Sequence, residues 1–341
     1  MLYPMIPLPP MHVQYAQLLQ ITEMYDQKCA DYPVELSNLR TGGGNLLCKE
    51  EIWMPNLSVL MPVYNASRFL GLAVESVLQQ SYSDFELIII NDGSTDDSLK
   101  ILEQYPDSRI RLMDNGTNRG IVYSLNQGLN LASGRYIARM DADDCSLPDR
   151  FKMQIAYMDL NPDIGVLGTQ YRIMNALSNE AFTALPCEPD ILECSLLFHC
   201  CLVHPAVMMR RRVLDQLTGP PYDPAYQYAE DYNLWARLSS ITRIANLRQY
   251  GLYYRLHDQQ LSRTQSMEQQ KQADRVRMDL LKNMGLTPSP TEWELHRHLC
   301  FGTTRCQPER DWIMKILARN LTVRRYDQAA LMDVLNRVLE R

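Results

Sequence analysis

The chain has 341 residues, 46% of them apolar, with 34 Lys and Arg against 40 Asp and Glu, a net charge of −6. That length suffices for one large domain with an appendage or for two domains, and the acidic balance argues against a nucleic-acid binder, which carries a basic surplus. No stretch reaches the roughly 18 apolar residues that span a bilayer; the longest, LLFHCCLVHPAVMM at 196–209, holds two histidines and reads as buried core.

The opening MLYPMIPLPPMHVQ has no basic stretch and is broken by prolines, so no secretion signal is expected. Nine cysteines without a CxxC pair then read as reduced, mostly buried thiols of a cytoplasmic protein. Residues 1–55 form an extension with a predicted helix, HVQYAQLLQITEMYDQK, and a loop, TGGGN. The loop lacks the GKS/T ending of a phosphate-binding P-loop and follows no strand, so it reads as a connector.

From Leu57 the pattern sharpens. LSVLMPVY is a strand stopped by Asn65, and SRFLGLAVESVLQQ follows with apolar residues at helical spacing. FELIIIND is a continuous apolar run, as in a strand covered on both faces. It ends in NDGSTDDS, where Gly93 allows the turn and Ser94 or Thr95 is expected to cap the helix SLKILEQY. RIRLMDN reads as a third strand, GIVYSLNQGLNLAS as a third helix, and GRYIARMD as a fourth strand. This alternation predicts right-handed βαβ units and a parallel sheet, in which ligands bind at the carboxyl ends of the strands. Asn65, Asp92, Asn118 and Asp141–Asp144 all follow strand ends or open helices, so they should converge on one sheet edge.

Beyond residue 150 come a predicted helix (PDRFKMQIAYMDLN), a strand (IGVLGTQYRIM), the helix AEDYNLWARLSS and a strand pair around RIANLRQYGLYYRLH. Residues 265–341 read as helical, with Gly285 closing QSMEQQKQADRVRMDLLKNMG. Trp312, Ile313, Ile316 and Leu317, then Leu331, Val334, Leu335, Val338 and Leu339, trace amphipathic stripes expected to face a core or a partner helix.

The chemistry concentrates in IARMDADDCSLPDR, residues 137–150. A calcium EF-hand loop opening at Asp141 would need Gly and Glu where the chain has Ser146 and Lys152. A DxD at a strand end suits a hard divalent cation completed by substrate phosphates; taken alone, the motif fits a solvated acidic turn equally well. It does not stand alone. Asp92 offers acceptors for a base or ribose, the PVYN turn places Asn65 beside it, and NRG at 118–120 opens a helix where amide dipoles and Arg119 favour negative charge. GxGxxG and GxxxxGKS/T are both absent from the sequence. Metal plus nucleotide without those loops points to a sugar-nucleotide enzyme.

The series LSVLMPVYNASRFLGLAVESVLQQSYSDFELIIINDGSTDDS, NRG and GRYIARMDADD resembles the family-2 glycosyltransferases, densely over about 57–170 and sparsely to about 262. The resemblance implies an α/β GT-A fold, a Rossmann-like nucleotide-binding sheet flanked by helices. It places a catalytic domain at 56–262, leaving residues 1–55 as an extension and 263–341 as a helical C-terminal region. It further implies an inverting hexosyltransferase that takes a sugar from a nucleotide donor, usually a UDP-sugar. Pro62, Tyr64, Asn65, Asn118 and Arg119 then belong to the nucleotide site, with Asp92 on the base and Asp141 by the ribose or donor sugar. Asp143 coordinates manganese or magnesium on the diphosphate, with Asp144 in support. A YRxH segment puts His257 near the metal and Arg255 by phosphate oxygens, suiting its fork geometry.

The resemblance also implies a general base from an acidic pair, matched here by Glu230-Asp231 in YAEDYNLWARL. Alone, such a pair is ordinary dipole-favoured capping; within the series Asp231 becomes the base and Glu230 orients the acceptor. Two crowded, desolvated carboxylates raise one pKa, which helps a base hold an abstracted proton. His204 is read as structural or acceptor-side. Bacterial relatives act on lipid-linked intermediates, so the acceptor is expected to be a saccharide or lipid-linked saccharide at the inner membrane face. A sugar-1-phosphate nucleotidyltransferase would carry a Gly-rich, Lys/Arg-bearing loop where this chain has PVYNAS. A non-catalytic relative would typically have lost Asp143 or the acidic pair, and both are present.

Overall fold

Strands β1 (Leu57–Val63) and β2 (Phe85–Asn91) are buried at every position, which is why both read as unbroken apolar runs rather than alternating ones. The computed structural model describes residues 55–174, 181–182, 184–258, 260, 265–301 and 307–340; the helix and TGGGN loop expected within 1–55 lie outside them. β3 (Ile110–Asp114) and β4 (Tyr136–Arg139) complete a parallel set in the order β3-β2-β1-β4, with Leu57 beside both Phe85 and Tyr136. Alternation sorts the side chains. Val59, Met61, Leu87 and Ile89 share a cluster with Val74 and Val77 of α1 (Leu70–Leu78). On the other face, Leu60, Ile88 and Ile90 pack with Val122, Leu125 and Leu129 of a helix over Ile121–Leu131. The intervening α2 is a single turn and a half, Ser98–Leu102, which makes the helix over Ile121–Leu131 α3.

Past β4 the sheet becomes mixed. The strands are β5 (Cys145–Ser146), β6 (Ile164–Met174), β7 (Ala181–Phe182), β8 (Met208–Arg210) and β9 (Arg243–Arg255). β8 runs antiparallel between β4 and β6, β5 is antiparallel to β9, and β7 pairs β6, giving a mixed nine-stranded sheet. The expected strand pair at 243–257 is instead this one long β9, parallel to β6 through several register shifts. Gly251 marks a close approach rather than a turn: a Cβ there would meet the Thr169 hydroxyl at 2.5 Å.

The remaining helices are α4 (Arg150–Leu160), α5 (Pro189–Ser195), α6 (Arg211–Leu214), α7 (Glu230–Leu238), α8 (Ser266–Asn283), α9 (Pro290–Phe301), α10 (Gln307–Val323) and α11 (Gln328–Glu340). Both predicted stripes are core: Trp312, Ile313, Ile316, Leu331, Val334, Leu335 and Val338 join the cluster that holds Leu60 and Trp235. Gly285 sits at φ +73° after α8, donating to the Lys282 carbonyl at 2.7 Å, as its predicted capping role requires. No helix among the described residues is long and apolar enough to cross a membrane.

His296 joins α9 to this core. It stacks on Phe198 and Trp293, its Nε2 lies 2.9 Å from the Leu197 carbonyl oxygen, and Trp312 Nε1–H donates to its Nδ1 at 3.3 Å. Burial pulls its pKa down from 6.5 to about 4. The unfolded chain therefore binds this proton first as pH falls, so stability drops between pH 6.5 and 4, by about 3 kcal/mol in all for this group. Denaturation midpoints measured across that window should show His296→Phe less stable than wild type at pH 8, with a pH slope shallower by about one proton.

Candidate active site

The carboxyl ends of β1 and β2 are tied together by side chains from their own turns. Asn65 adopts a left-handed φ of 49°; its Oδ1 accepts from Thr95 N–H at 2.8 Å and its own N–H donates to Ser94 Oγ at 3.0 Å. Ala66 N–H donates to Ser98 Oγ at 2.9 Å, and Ser67 N–H to Asp96 Oδ2 at 3.0 Å. Ser94 and Thr95 thus latch NDGSTDD to PVYNAS, and they do not cap α2 as the sequence led us to expect. Gly93, at φ +66°, lets a third turn press in: a Cβ there would lie 2.4 Å from the Thr117 carbonyl carbon. Asp92 anchors that third turn. Its Oδ1 accepts from Arg119 N–H at 3.0 Å and its Oδ2 from Gly120 N–H at 2.8 Å, at the amino end of α3. The Arg119 guanidinium lies 4.1 Å over the Tyr123 ring.

After β4, Asp141, Asp143 and Asp144 bring carboxylate oxygens within 4.8 Å of one another. Asp141 pairs with the buried Arg139 guanidinium. Asp143 Oδ2 lies 2.7 Å from His257 Nε2, whose ring packs on Phe69. Asp144 is buried; Oδ1 accepts from Arg255 N–H at 2.8 Å, while Oδ2 is buried with no hydrogen-bond partner. Burial drives the Asp144 carboxyl well above the usual range, and the charges of Asp141 and Asp143 add to it. Asp141 is raised too, by burial first and against the pull of Arg139. Three crowded carboxylates, one with an orphaned buried oxygen, are the donor set a hard divalent cation satisfies. The residues therefore fit such an ion. Arg255 fastens this loop from behind, donating from Nε to the Asp143 carbonyl at 2.8 Å with its guanidinium 4.4 Å over Phe69.

The acidic pair opens α7. Glu230 is buried, its Oε2 has no partner, and burial with the neighbouring Asp231 charge pushes it up to about 7. Asp231 is raised as well, chiefly by burial; its Oδ1 accepts from Tyr232 N–H at 2.7 Å. Tyr228, just ahead, holds a left-handed φ of 72°, the kind of backbone strain that clusters at functional sites. His204 Nε2 lies 2.8 Å from Tyr222 Oη, and burial, then the Arg139 charge, keeps the ring well below its ordinary pKa. It stays neutral, a structural partner at the wall.

These turns enclose a cleft of about 880 Å³ lined by Pro62, Tyr64, Asn65, Asp92, Asn118, Asp141, Asp143, Asp231 and His257, with His204. Arg119, Glu230 and Arg255 are not among the lining residues: Arg119 is exposed over Tyr123, Glu230 is buried at the start of α7, and Arg255 holds the DADD loop. The cleft also holds residues that sequence reasoning missed: Arg139, Phe69, and the edge-on pair Tyr171 and Tyr254 with ring centroids 5.6 Å apart. Arg139 had a signal, since a strand residue two before Asp141 shares its side of the chain; the tyrosines, from β6 and β9, had none. A smaller hollow of about 550 Å³ lies by the first residues of β6 and β9, lined by Glu193, Arg243 and Arg325.

The sequence profile described as "Glycosyl transferase family 2" matches residues 58–218. The Escherichia coli UDP-Glc:alpha-D-GlcNAc-diphosphoundecaprenol beta-1,3-glucosyltransferase WfgD is 31% identical over 230 residues, covering 67% of this chain and 87% of its own length. Among solved structures, residues 1–349 of Staphylococcus aureus TarS, in complex with UDP, match with a TM-score of 0.55 at 17% identity, over 84% of this chain and 90% of that one. The mannosyltransferase PcManGT from Pyrobaculum calidifontis, in complex with GDP-Man and Mn2+, matches with a TM-score of 0.53 at 14% identity, over 96% of each chain. The mixed sheet with flanking helices is thus a GT-A fold with a helical C-terminal region.

Proposed function

The chain belongs to the family-2 glycosyltransferases, and from that premise we propose that it is an inverting, metal-assisted enzyme that moves a hexose from a UDP-sugar to a hydroxyl of a lipid-linked saccharide. The observation that carries the reading is the placement of Asp231 in the same cleft as the Asp141–Asp143 carboxylates and the PVYN turn. A donor seated on that turn has its diphosphate toward the acidic cluster and its sugar toward the acidic pair. Asp231, with Oδ1 engaged by Tyr232 N–H, takes the acceptor proton on Oδ2 as the acceptor oxygen bonds to the anomeric carbon. The bond to the diphosphate breaks on the opposite face, so configuration inverts. Glu230, buried beside it, orients the acceptor.

Asp143, the free Asp144 oxygen and His257 would hold a divalent cation, manganese or magnesium. When bound, such an ion neutralises the departing diphosphate as a Lewis acid. UDP recognition draws support from WfgD, whose name specifies UDP-Glc and a diphosphoundecaprenol acceptor. Such an acceptor implies work at the cytoplasmic membrane face. A UDP-sugar hydrolysis panel, run with manganese and with chelator, tests the reading. The expected result is UDP release from one donor, lost on chelation; release indifferent to chelation would refute the role given to Asp143.

A further inference from the structure

Arg139 is a cleft residue with no role so far. Its side chain is 3% exposed yet contributes to the cleft wall. Nη1 faces the Asp141 carboxylate, while Nε is buried without a hydrogen-bond partner. A buried guanidinium N–H left unpaired is costly, so it implies an acceptor that arrives with a ligand. The neighbours behind it are committed elsewhere. Arg150 donates to the Arg139 and Val207 carbonyls at 2.8 and 3.1 Å, and His204 is engaged with Tyr222.

Position says which part of a ligand arrives there. Arg139 pairs with Asp141 and lines the same cleft as Asp143 and Asp231, and its charge draws down Asp141, Glu230 and Asp231 alike, so it lies near both the acidic cluster and the base. Under the transfer reading above, on which this inference rests, one group bridges those two sites. The transferred sugar is bonded to the diphosphate at one carbon and is attacked there by the hydroxyl that Asp231 deprotonates. We propose that Arg139 contacts the donor directly, donating a hydrogen bond from its guanidinium to an oxygen of the transferred sugar, and that this oxygen is a neutral hydroxyl. Neutrality follows from the charges on the page. Asp141 already balances the Arg139 charge, so a sugar carboxylate would find no unpaired cation on this guanidinium.

The test uses the full-length protein with manganese: wild type, Arg139→Met and Arg139→Lys, titrated calorimetrically with UDP, UDP-glucose, UDP-N-acetylglucosamine and UDP-glucuronate. Wild type should prefer a neutral sugar. Arg139→Met should weaken that UDP-sugar by about 10–100-fold while UDP alone stays within about twofold. Arg139→Lys keeps the charge against Asp141 without the planar fork, and should fall between the two. Its melting curve guards against a folding defect. Equal losses for UDP and UDP-sugar would make Arg139 a support for Asp141 only, and unchanged affinities would remove the contact; either result overturns the assignment. A wild-type preference for UDP-glucuronate would overturn the neutral-hydroxyl part. A wild type that binds none of the four nucleotides would instead sink the UDP-sugar donor reading, and this inference with it.

Discussion

Asp231→Asn is expected to lower sugar transfer by about 10²–10⁴-fold, the range a positioned general base supplies, while UDP affinity stays within about twofold. Asn matches Asp in size and still accepts from Tyr232 N–H through its amide oxygen, so the start of α7 should hold. What it cannot do is accept the acceptor's proton. The pH dependence is fixed by the same pair. Burial raises both carboxyls, with the Asp231 charge adding to Glu230, which reaches about 7, and the Asp141 charge adding to Asp231, and a protonated Asp231 cannot act as base. Transfer should therefore fall on the acid side, at a pH above the ordinary carboxylate range, as the raised Asp231 carboxyl takes up its proton. In Asp231→Asn the like charge beside Glu230 is gone, so the acid limb of any residual activity should move to lower pH. Initial rates across pH 5–9 (about two units either side of neutrality) for wild type, Asp231→Asn and Glu230→Gln decide the matter. A larger loss in Glu230→Gln would reverse the assignment.

The parts of this site that the sequence displayed are those built from local runs. Continuous apolar strands at 57–63 and 85–91, each followed by a helix, announced a covered parallel sheet. Polar residues stopping those runs had to gather at its carboxyl edge. What stayed hidden depends on distant partners. β8 has three residues and β5 two, too few for any periodicity; each exists because a longer strand offers an unpaired edge. The same applies to individual side chains. Asp92 and Arg255 read as ligand contacts by residue type; the structure adds that Asp92, while lining the cleft, also accepts from the backbone at the start of α3, and that Arg255 donates to the DADD loop. A sequence shows which groups are chemically able to meet a nucleotide, but what else the fold asks of them is set by contacts 27 or 112 positions away. Arg139 is the converse case, a residue without a motif whose importance comes from what surrounds it.

Asp143→Ala should separate metal binding from catalysis. In wild type, manganese at about 100 times its dissociation constant adds roughly 2.7 kcal/mol of stability through mass action, or about 5–10 °C in melting temperature for a domain of this size. Asp143→Ala is expected to lose most of that rise, and transfer should fall by about 100-fold or more. Without metal the direction reverses. Asp143 sits within 4.8 Å of two other carboxylates, so removing it relieves like-charge repulsion and should leave the metal-free variant as stable as wild type or slightly more so. A destabilised metal-free variant would point to lost packing, with the His257 contact at 2.7 Å as the first suspect. An undiminished manganese shift in the variant would exclude Asp143 as a ligand and move the ion to Asp141 and Asp144. Because the melting shift needs no substrate, it bears on the metal site even if donor and acceptor differ from those proposed.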